Sequence, residues 1–322
     1  MKKGKLMAAM LLISALLLSS CGYAAAESRD RYRIWFVAKS TDTQFWLSAI
    51  AGANAAKAEY NVELTIVGPE TEEDYAAQND YIAQAVDEGV DAIVFSAISY
   101  SENAAAVDAA ADAGVKVIVI DSDVDSAKVS ARIGTDNVQA GRMTGAAVLS
   151  AEAGALYVGI VNFDLGSRNG QEREQGLRQA LQEDARVRDV YTVNVAATPD
   201  SARTGAEILL HSHPEINALV GLNEPLAVGT ARAVAALGLS GRVRVVGFDT
   251  NPECIDYMRE GTVSALIAQN PYAMGYLGVE TAWELLEGGS RNPDELLDTA
   301  TTIVTGENMF TAESQKALFS FG

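Results

Sequence analysis

From Arg33 onward, short runs of β-branched and aliphatic residues alternate with Ala-rich stretches whose apolar positions recur at helical spacing. The runs predict strands at 33–38, 62–67, 91–95, 116–120, 155–161, 217–221, 243–247 and 264–268. The stretches between them predict helices near 44–59, 72–88, 102–113, 138–152, 170–184, 200–212, 225–237, 252–260 and 272–287. Strands that are apolar on both faces and separated by helices mark a parallel sheet covered on both sides. Gly89, Gly114, Gly238 and Gly261 each stand just past a predicted helix, where a left-handed cap favours glycine. The helix–strand unit recurs as EGVDAIVF, AGVKVIVI, HPEINALVG and LSGRVRVVG, a count that suits two doubly wound lobes better than one large sheet. The interruption at 129–137 (VSARIGTDN) is the first expected crossing between them. No domain-sized Pro/Ser linker is present, so several short hinge strands are expected to join the lobes and to permit closure about a cleft.

Composition narrows the picture. At about 150 residues per domain, 322 residues make two ordinary domains. Lys and Arg number 24 against 43 Asp and Glu, a net charge of −19, and no basic stripe relieves it. Phosphate backbones would repel such a chain, which excludes nucleic-acid binding as a main function. Two cysteines cannot build a disulfide framework, and two histidines leave little for a His-rich metal site.

The N-terminus differs in kind. Lys2, Lys3 and Lys5 precede an apolar run from Leu6 to Leu18, a charged patch and a hydrophobic stretch too short for a membrane span. Leu18-Ser19-Ser20-Cys21 then resembles the bacterial lipobox, which implies a leader over 1–21, lipid attachment at Cys21, and a polar tether over 22–31. Removing three lysines would take the mature charge to 21 − 43 = −22. Cys254 would remain the only unmodified thiol, expected to be a small buried apolar residue.

Catalytic motifs are missing. No GxGxxG follows a strand, and GxxxxGK[ST], GxSxG, HEXXH and CxxC are absent. Asp121-x-Asp123-x-Asp125 imitates the start of a calcium loop, but Ser126 replaces its turn glycine and Arg132 stands where the bidentate Glu is needed. His211 and His213 flank a Ser before Pro214 and read as a helix end. No cofactor or metal is expected.

In a doubly wound fold, ligands sit at the C-terminal ends of strands. Standing there are Lys39 to Trp46, Asp121-Ser122-Asp123, Ser167 to Arg173, Asn223-Glu224, Phe248-Asp249 and Gln269-Asn270. A sugar hydroxyl both donates and accepts, so an ionised acceptor and a charged donor together meet it best. Asp121 and Asp249 supply acceptors, Lys39 and Arg173 supply donors, and Asn223 and Gln269 supply either. Phe45 and Trp46 offer flat apolar faces to a sugar ring.

Over residues 32–305 the sequence resembles the ribose-binding-like periplasmic binding proteins of bacterial ABC transporters. The segments that carry the resemblance are STDTQFW, IGTDNVQAGR (133–142), QEREQG (171–176), LVGLNEPLAVGTARAV (219–234), VVGFDTNPE (245–253) and ALIAQNPYAMGYLGVE (265–280). The resemblance implies an α/β fold of two doubly wound parallel-sheet lobes joined by hinge strands, divided as 32–135 plus 270–298 and 136–269 plus 299–322. It implies that Phe45 and Trp46 match the aromatic pair sandwiching the sugar, Asp121 the strand-end aspartate, Arg173 the second lobe's arginine, and Asn223 its amide. It further implies that Asp249 matches the aspartate of GFD and Gln269 the hinge glutamine. Lys39 matches a position that is lysine in some hexose binders, and Arg168 is an extra cation counted with the site. Ser122 and Thr43 stand where ribose binders carry Arg and Asn, and no aromatic occurs near 197. A hexose, polyol or sugar acid therefore fits as well as ribose.

The expected function is capture of a sugar or polyol and delivery to an ABC permease by a monomeric, exported, lipid-anchored binding protein without enzymatic activity. A receptor passing occupancy of the same cleft to a membrane kinase or chemoreceptor is the alternative. The regulators that share this fold need an N-terminal DNA-reading module, and the leader occupies its place.

Overall fold

The computed structural model describes residues 31–150 and 154–319. The expectations for the leader, for Cys21 and for nearly all of the tether lie outside the described residues.

Strands β1 (Arg33–Val37), β2 (Glu63–Val67), β3 (Ala92–Phe95), β4 (Lys116–Ile120) and β5 (Ala131–Gly134) build a first sheet, with helices α1 (Gln44–Tyr60), α2 (Tyr75–Asp87) and α3 (Ala104–Asp112) between them. The chain then runs through α4 (Asn137–Leu149), β6 (Leu156–Asn162), α5 (Arg168–Gln182), β7 (Val187–Asn194), α6 (Pro199–Ser212) and β8 (Ala218–Gly221). It continues through α7 (Glu224–Ala236), β9 (Arg244–Phe248), α8 (Pro252–Arg259) and β10 (Val263–Ala268), completing most of a second sheet. Helix α9 (Pro271–Leu286) returns to pack on α1. Strands β11 (Leu296–Asp298) and β12 (Thr302–Thr305) then finish one edge of each sheet, before α10 (Ala312–Leu318).

The sheet orders are β11-β5-β4-β3-β1-β2 and β12-β10-β9-β8-β6-β7, the same winding twice. Every pairing is parallel except that of β10 with β12. Inner parallel strands such as β3 and β8 are buried on both faces because helices cover both. Along β1 the pleat sends Ile34 and Phe36 to the cluster beneath α1 and α9, and Trp35 and Val37 to the cluster beneath α2 and α3. Gly89, Gly114, Gly238 and Gly261 all have positive φ just past α2, α3, α7 and α8, the expected left-handed caps.

Three crossings link the layers, at 135–136, 269–270 and 299–301. They are bonded to one another. Thr135 Oγ1 donates to Gln269 Oε1 at 2.9 Å, the Asp136 amide to Asp298 Oδ1 at 3.2 Å, and the Thr299 amide to the Gly134 carbonyl at 2.7 Å. The interruption at 129–137 is thus not all crossing. It contains β5, which belongs to the first sheet. Three more strands fall outside the sequence pattern, and each is an edge or near-edge element. β7 is largely half-buried or exposed, β11 is exposed throughout, and β12 spans four residues, so none carries a continuous apolar run.

Two helix pairs lie unusually close, and each holds part of the cleft. A Cβ at Gly141 of α4 would overlap the Arg173 carbonyl of α5, and one at Gly176 would overlap the Val138 carbonyl in return. Likewise, Gly52 of α1 faces the Tyr272 carbonyl and Gly275 of α9 the Ala49 carbonyl. Glycine at these contacts lets backbones approach directly, fixing the helix turns that bear Arg173, Phe45 and Trp46.

Candidate functional site

The C-terminal ends of the strands in the two sheets face each other across a narrow polar cavity. Lys39, Phe45, Trp46, Asp121, Arg173, Asn223, Asp249 and Gln269 all line it. Six chain segments far apart in sequence supply these eight side chains.

Asp121 and Asp249 occupy equivalent places. Each follows the same strand of its sheet, β4 or β9, and each has left-handed φ, 56° and 67°. Asp tolerates that conformation better than most residues. Their amides donate to equivalent carbonyls in the next strand, Ile133 at 3.0 Å and Ile267 at 2.9 Å. The turn lifts both carboxylates off their strand ends and into the cleft.

Around Asp121, Ser96 Oγ donates at 3.0 Å and Asn169 Nδ2 at 3.1 Å. Lys39 Nζ lies at 4.0 Å and Arg173 Nη2 at 3.7 Å. Lys39 donates to Ser167 Oγ at 2.9 Å and Asn169 Oδ1 at 3.3 Å, and its burial lowers the ammonium pKa. Arg173 is almost wholly buried. Its Nε donates to Asn137 Oδ1 at 2.8 Å, Nη1 to the Leu222 carbonyl at 3.0 Å, and Nη2 to Gln269 Oε1 at 2.9 Å. Its guanidinium carbon lies 4.2 Å from the centre of the Phe248 ring. Gln269 turns its amide toward Asp249 Oδ1 at 2.5 Å. Burial pushes the Asp249 carboxyl up to about 7, with the Arg173 charge opposing the shift.

The aromatic pair sits at the start of α1, where the Thr43 hydroxyl accepts from the Trp46 amide at 3.3 Å. The two rings meet edge to face, 5.0 Å apart at 82°. The Trp46 indole N–H donates to Glu72 Oε1 at 2.8 Å. Asn223 caps α7, accepting from the Leu226 amide at 3.1 Å, and so faces the cavity from a fixed helix end.

Arg168 stands apart from the cavity lining. Its Nε donates to Glu172 at 2.6 Å, and its guanidinium carbon lies 5.0 Å from the centre of the Tyr100 ring. Arg168 and Arg173 are five residues apart on α5, about 140° around the helix, so they cannot face the same way.

Glu72, Phe163 and Pro225 also line the wall without any sequence signal assigned to them, and Thr43, Asn169 and Glu224 line it from strand-end segments in which the sequence gives them no ligand-binding role. Phe163 directly follows β6 and supplies the third aromatic that is absent near 197. Asn169 and Glu224 adjoin chosen positions, whereas Glu72 lies in a loop with no strand-end signal. Together, carboxylates, amides, buried cations and aromatic faces form a surface suited to a ring bearing several hydroxyls.

Residues 34–290 match the model of the family described as periplasmic binding protein domain. The chain is 28% identical over 317 residues to a D-ribose/D-allose-binding protein of Pseudomonas aeruginosa, covering 94% of this chain and 99% of that one. It is 24% identical over 292 residues to a ribose import binding protein of Bacillus subtilis, with 88% and 94% covered. A carbohydrate transporter solute-binding protein of Agrobacterium radiobacter, solved with D-arabinose, superposes with a TM-score of 0.87 at 26% identity, covering 91% of this chain and all of the other.

The Asp249 shift has a stability consequence. The folded state holds this proton more tightly than the unfolded chain, so the contribution of Asp249 falls as pH rises from the ordinary aspartate range toward about 7. Thermal melting of the wild type and of Asp249→Asn between pH 4 and pH 8 checks this. The wild type should lose melting temperature relative to the variant as pH rises, and a constant difference would show that Asp249 does not titrate in this range.

Proposed function

The chain belongs to the periplasmic binding protein family, and from that premise we propose that it is an extracytoplasmic solute-binding protein that closes on a sugar or related polyol and delivers it to an ABC permease. The observation that carries this reading is the convergence of Asp121 and Asp249, one from each sheet, on one cavity with Arg173 and Gln269 between them. A polyhydroxyl ring lying there would be gripped from both sides. A ligand that contacts both lobes favours the closed arrangement by as much as its affinity for closed exceeds that for open. Nothing is made or broken: the protein is a carrier and not an enzyme.

Four carboxylates line the cavity (Glu72, Asp121, Glu224 and Asp249) against two cations, Lys39 and Arg173. Both cations already donate to protein acceptors. That balance favours a neutral sugar or polyol over a sugar acid. The lobes are taken as 32–135 plus 270–298 and 136–269 plus 299–322, with the crossings as hinges. Lipid attachment at Cys21 would hold the acidic body beside the membrane, and Cys21→Ala should move the protein from the membrane fraction to the soluble one. Retention in the membrane fraction would remove the lipid from this reading.

Isothermal titration against neutral pentoses, hexoses and inositols, including D-ribose, D-allose, D-arabinose and D-fucose, should find at least one tight binder, with sugar acids much weaker. Asp121→Ala should then weaken binding by roughly a hundredfold, the order expected for loss of a charged hydrogen-bond acceptor in a dry site. Silence across the panel, or unchanged affinity in a variant with wild-type circular dichroism, would contradict the proposal.

A further inference from the structure

We propose that Glu224 is the positioning residue of closure, a carboxylate of the second lobe that caps the first-lobe helix bearing Phe45 and Trp46 and so completes the aromatic wall only when the lobes meet. Glu224 Oε2 accepts from the Phe45 amide at 2.8 Å, and Oε1 from the Gln44 amide at 3.3 Å. These are the first two amides of α1, which have no partner within their own helix. The Thr43 hydroxyl serves the third, that of Trp46. An anion at this end also meets the positive pole of the helix dipole.

The carboxylate is aimed from its own lobe. Glu224 opens α7, and Asn251 Nδ2 donates to its Oε1 at 2.7 Å. Asn251 is itself held by capping α8, its Oδ1 accepting from the Glu253 amide at 2.9 Å. An acceptor oriented within the second lobe therefore meets donors fixed within the first, across a sequence separation of 179 residues for Phe45. Burial raises the Glu224 pKa and is opposed first by the Phe45 amide, then by Asn251 and Gln44, so the groups it joins offset part of the cost of drying this carboxylate.

Other bonds between the lobes, away from the crossings, differ in kind. Those of Lys39 with Ser167 and Asn169, and of Asn169 with Asp121, join polar side chains whose places a ligand hydroxyl can take. The Ala197 amide to Glu73 Oε1 at 2.7 Å and the Tyr100 amide to the Gly166 carbonyl at 2.8 Å involve none of the cavity-lining residues. Glu224 both lines the cavity and grips the helix that holds the aromatic pair.

Stopped-flow tryptophan fluorescence with D-ribose and D-arabinose as probes tests this on wild type, Glu224→Gln and Glu224→Ala; this arm rests on the sugar-binding reading. Dissociation should be about tenfold faster in Glu224→Ala, in keeping with loss of hydrogen bonds to a charged acceptor. Glu224→Gln, which keeps an acceptor oxygen without the charge, should fall between, and most of the lost affinity should lie in dissociation. Wild-type dissociation in Glu224→Ala, or a loss carried by association, would overturn the proposal. If neither probe binds the wild type, the sugar reading is what fails, and ligand-free protein decides the closure role. Spin labels at the exposed positions Asp80→Cys and Glu260→Cys should then report longer interlobe distances in Glu224→Ala than in the Glu224 protein. Superimposable distributions would overturn the proposal.

Discussion

A buried guanidinium organises this molecule. Arg173 is shut away from water, and a charge in that position must be compensated where it stands. Its donors reach Asn137 just past one crossing, Gln269 at another, and the Leu222 carbonyl at a strand end of the second sheet. Asp121 of the first sheet approaches to 3.7 Å, and the Phe248 ring covers one face. Both layers and two of the three links between them thus converge on one cation. Removing any acceptor would leave charge unpaired in a dry place, so the positions of Asp121, Gln269 and Asn137 are tied together.

Around that centre the chain applies one rule twice. Each sheet ends its β4 or β9 strand in a left-handed aspartate whose amide bonds to the following strand. The two carboxylates sit in unlike surroundings all the same. Asp121 is ringed by Ser96, Asn169, Lys39 and Arg173, whereas Asp249 depends on Gln269 and on the more distant Arg173 charge, and its proton is held up to about 7. A ligand placing hydroxyls against both would meet a carboxylate ringed by donors on one side and, on the other, a carboxyl whose proton burial holds more tightly.

Much of this is legible in the sequence, for a physical reason. Strands buried on both faces, such as β3 and β8, must be continuously apolar, and the residue that ends such a run must lie at the mouth of the cleft. That rule and the family resemblance together point to nine pocket candidates, and eight of them line the cavity. The edge strands β7 and β11 were invisible because exposure removes the pattern. Arg168 stands outside the cavity lining because nearness along the chain does not survive five steps around a helix. Contacts between distant segments, such as that of Glu224 with the start of α1, leave no periodic trace at all. Phe163, by contrast, was available at the end of a predicted strand and could have been found there.

The central claim is that one ligand is held by both layers at once. A crystal structure of the protein with a neutral sugar from the binding panel tests it most directly. The account predicts a single sugar ring against Phe45, with hydroxyls within hydrogen-bond distance of Asp121 on one side and of Asp249 on the other. A sugar bound to residues of one sheet alone, or bound away from this cavity, would contradict it.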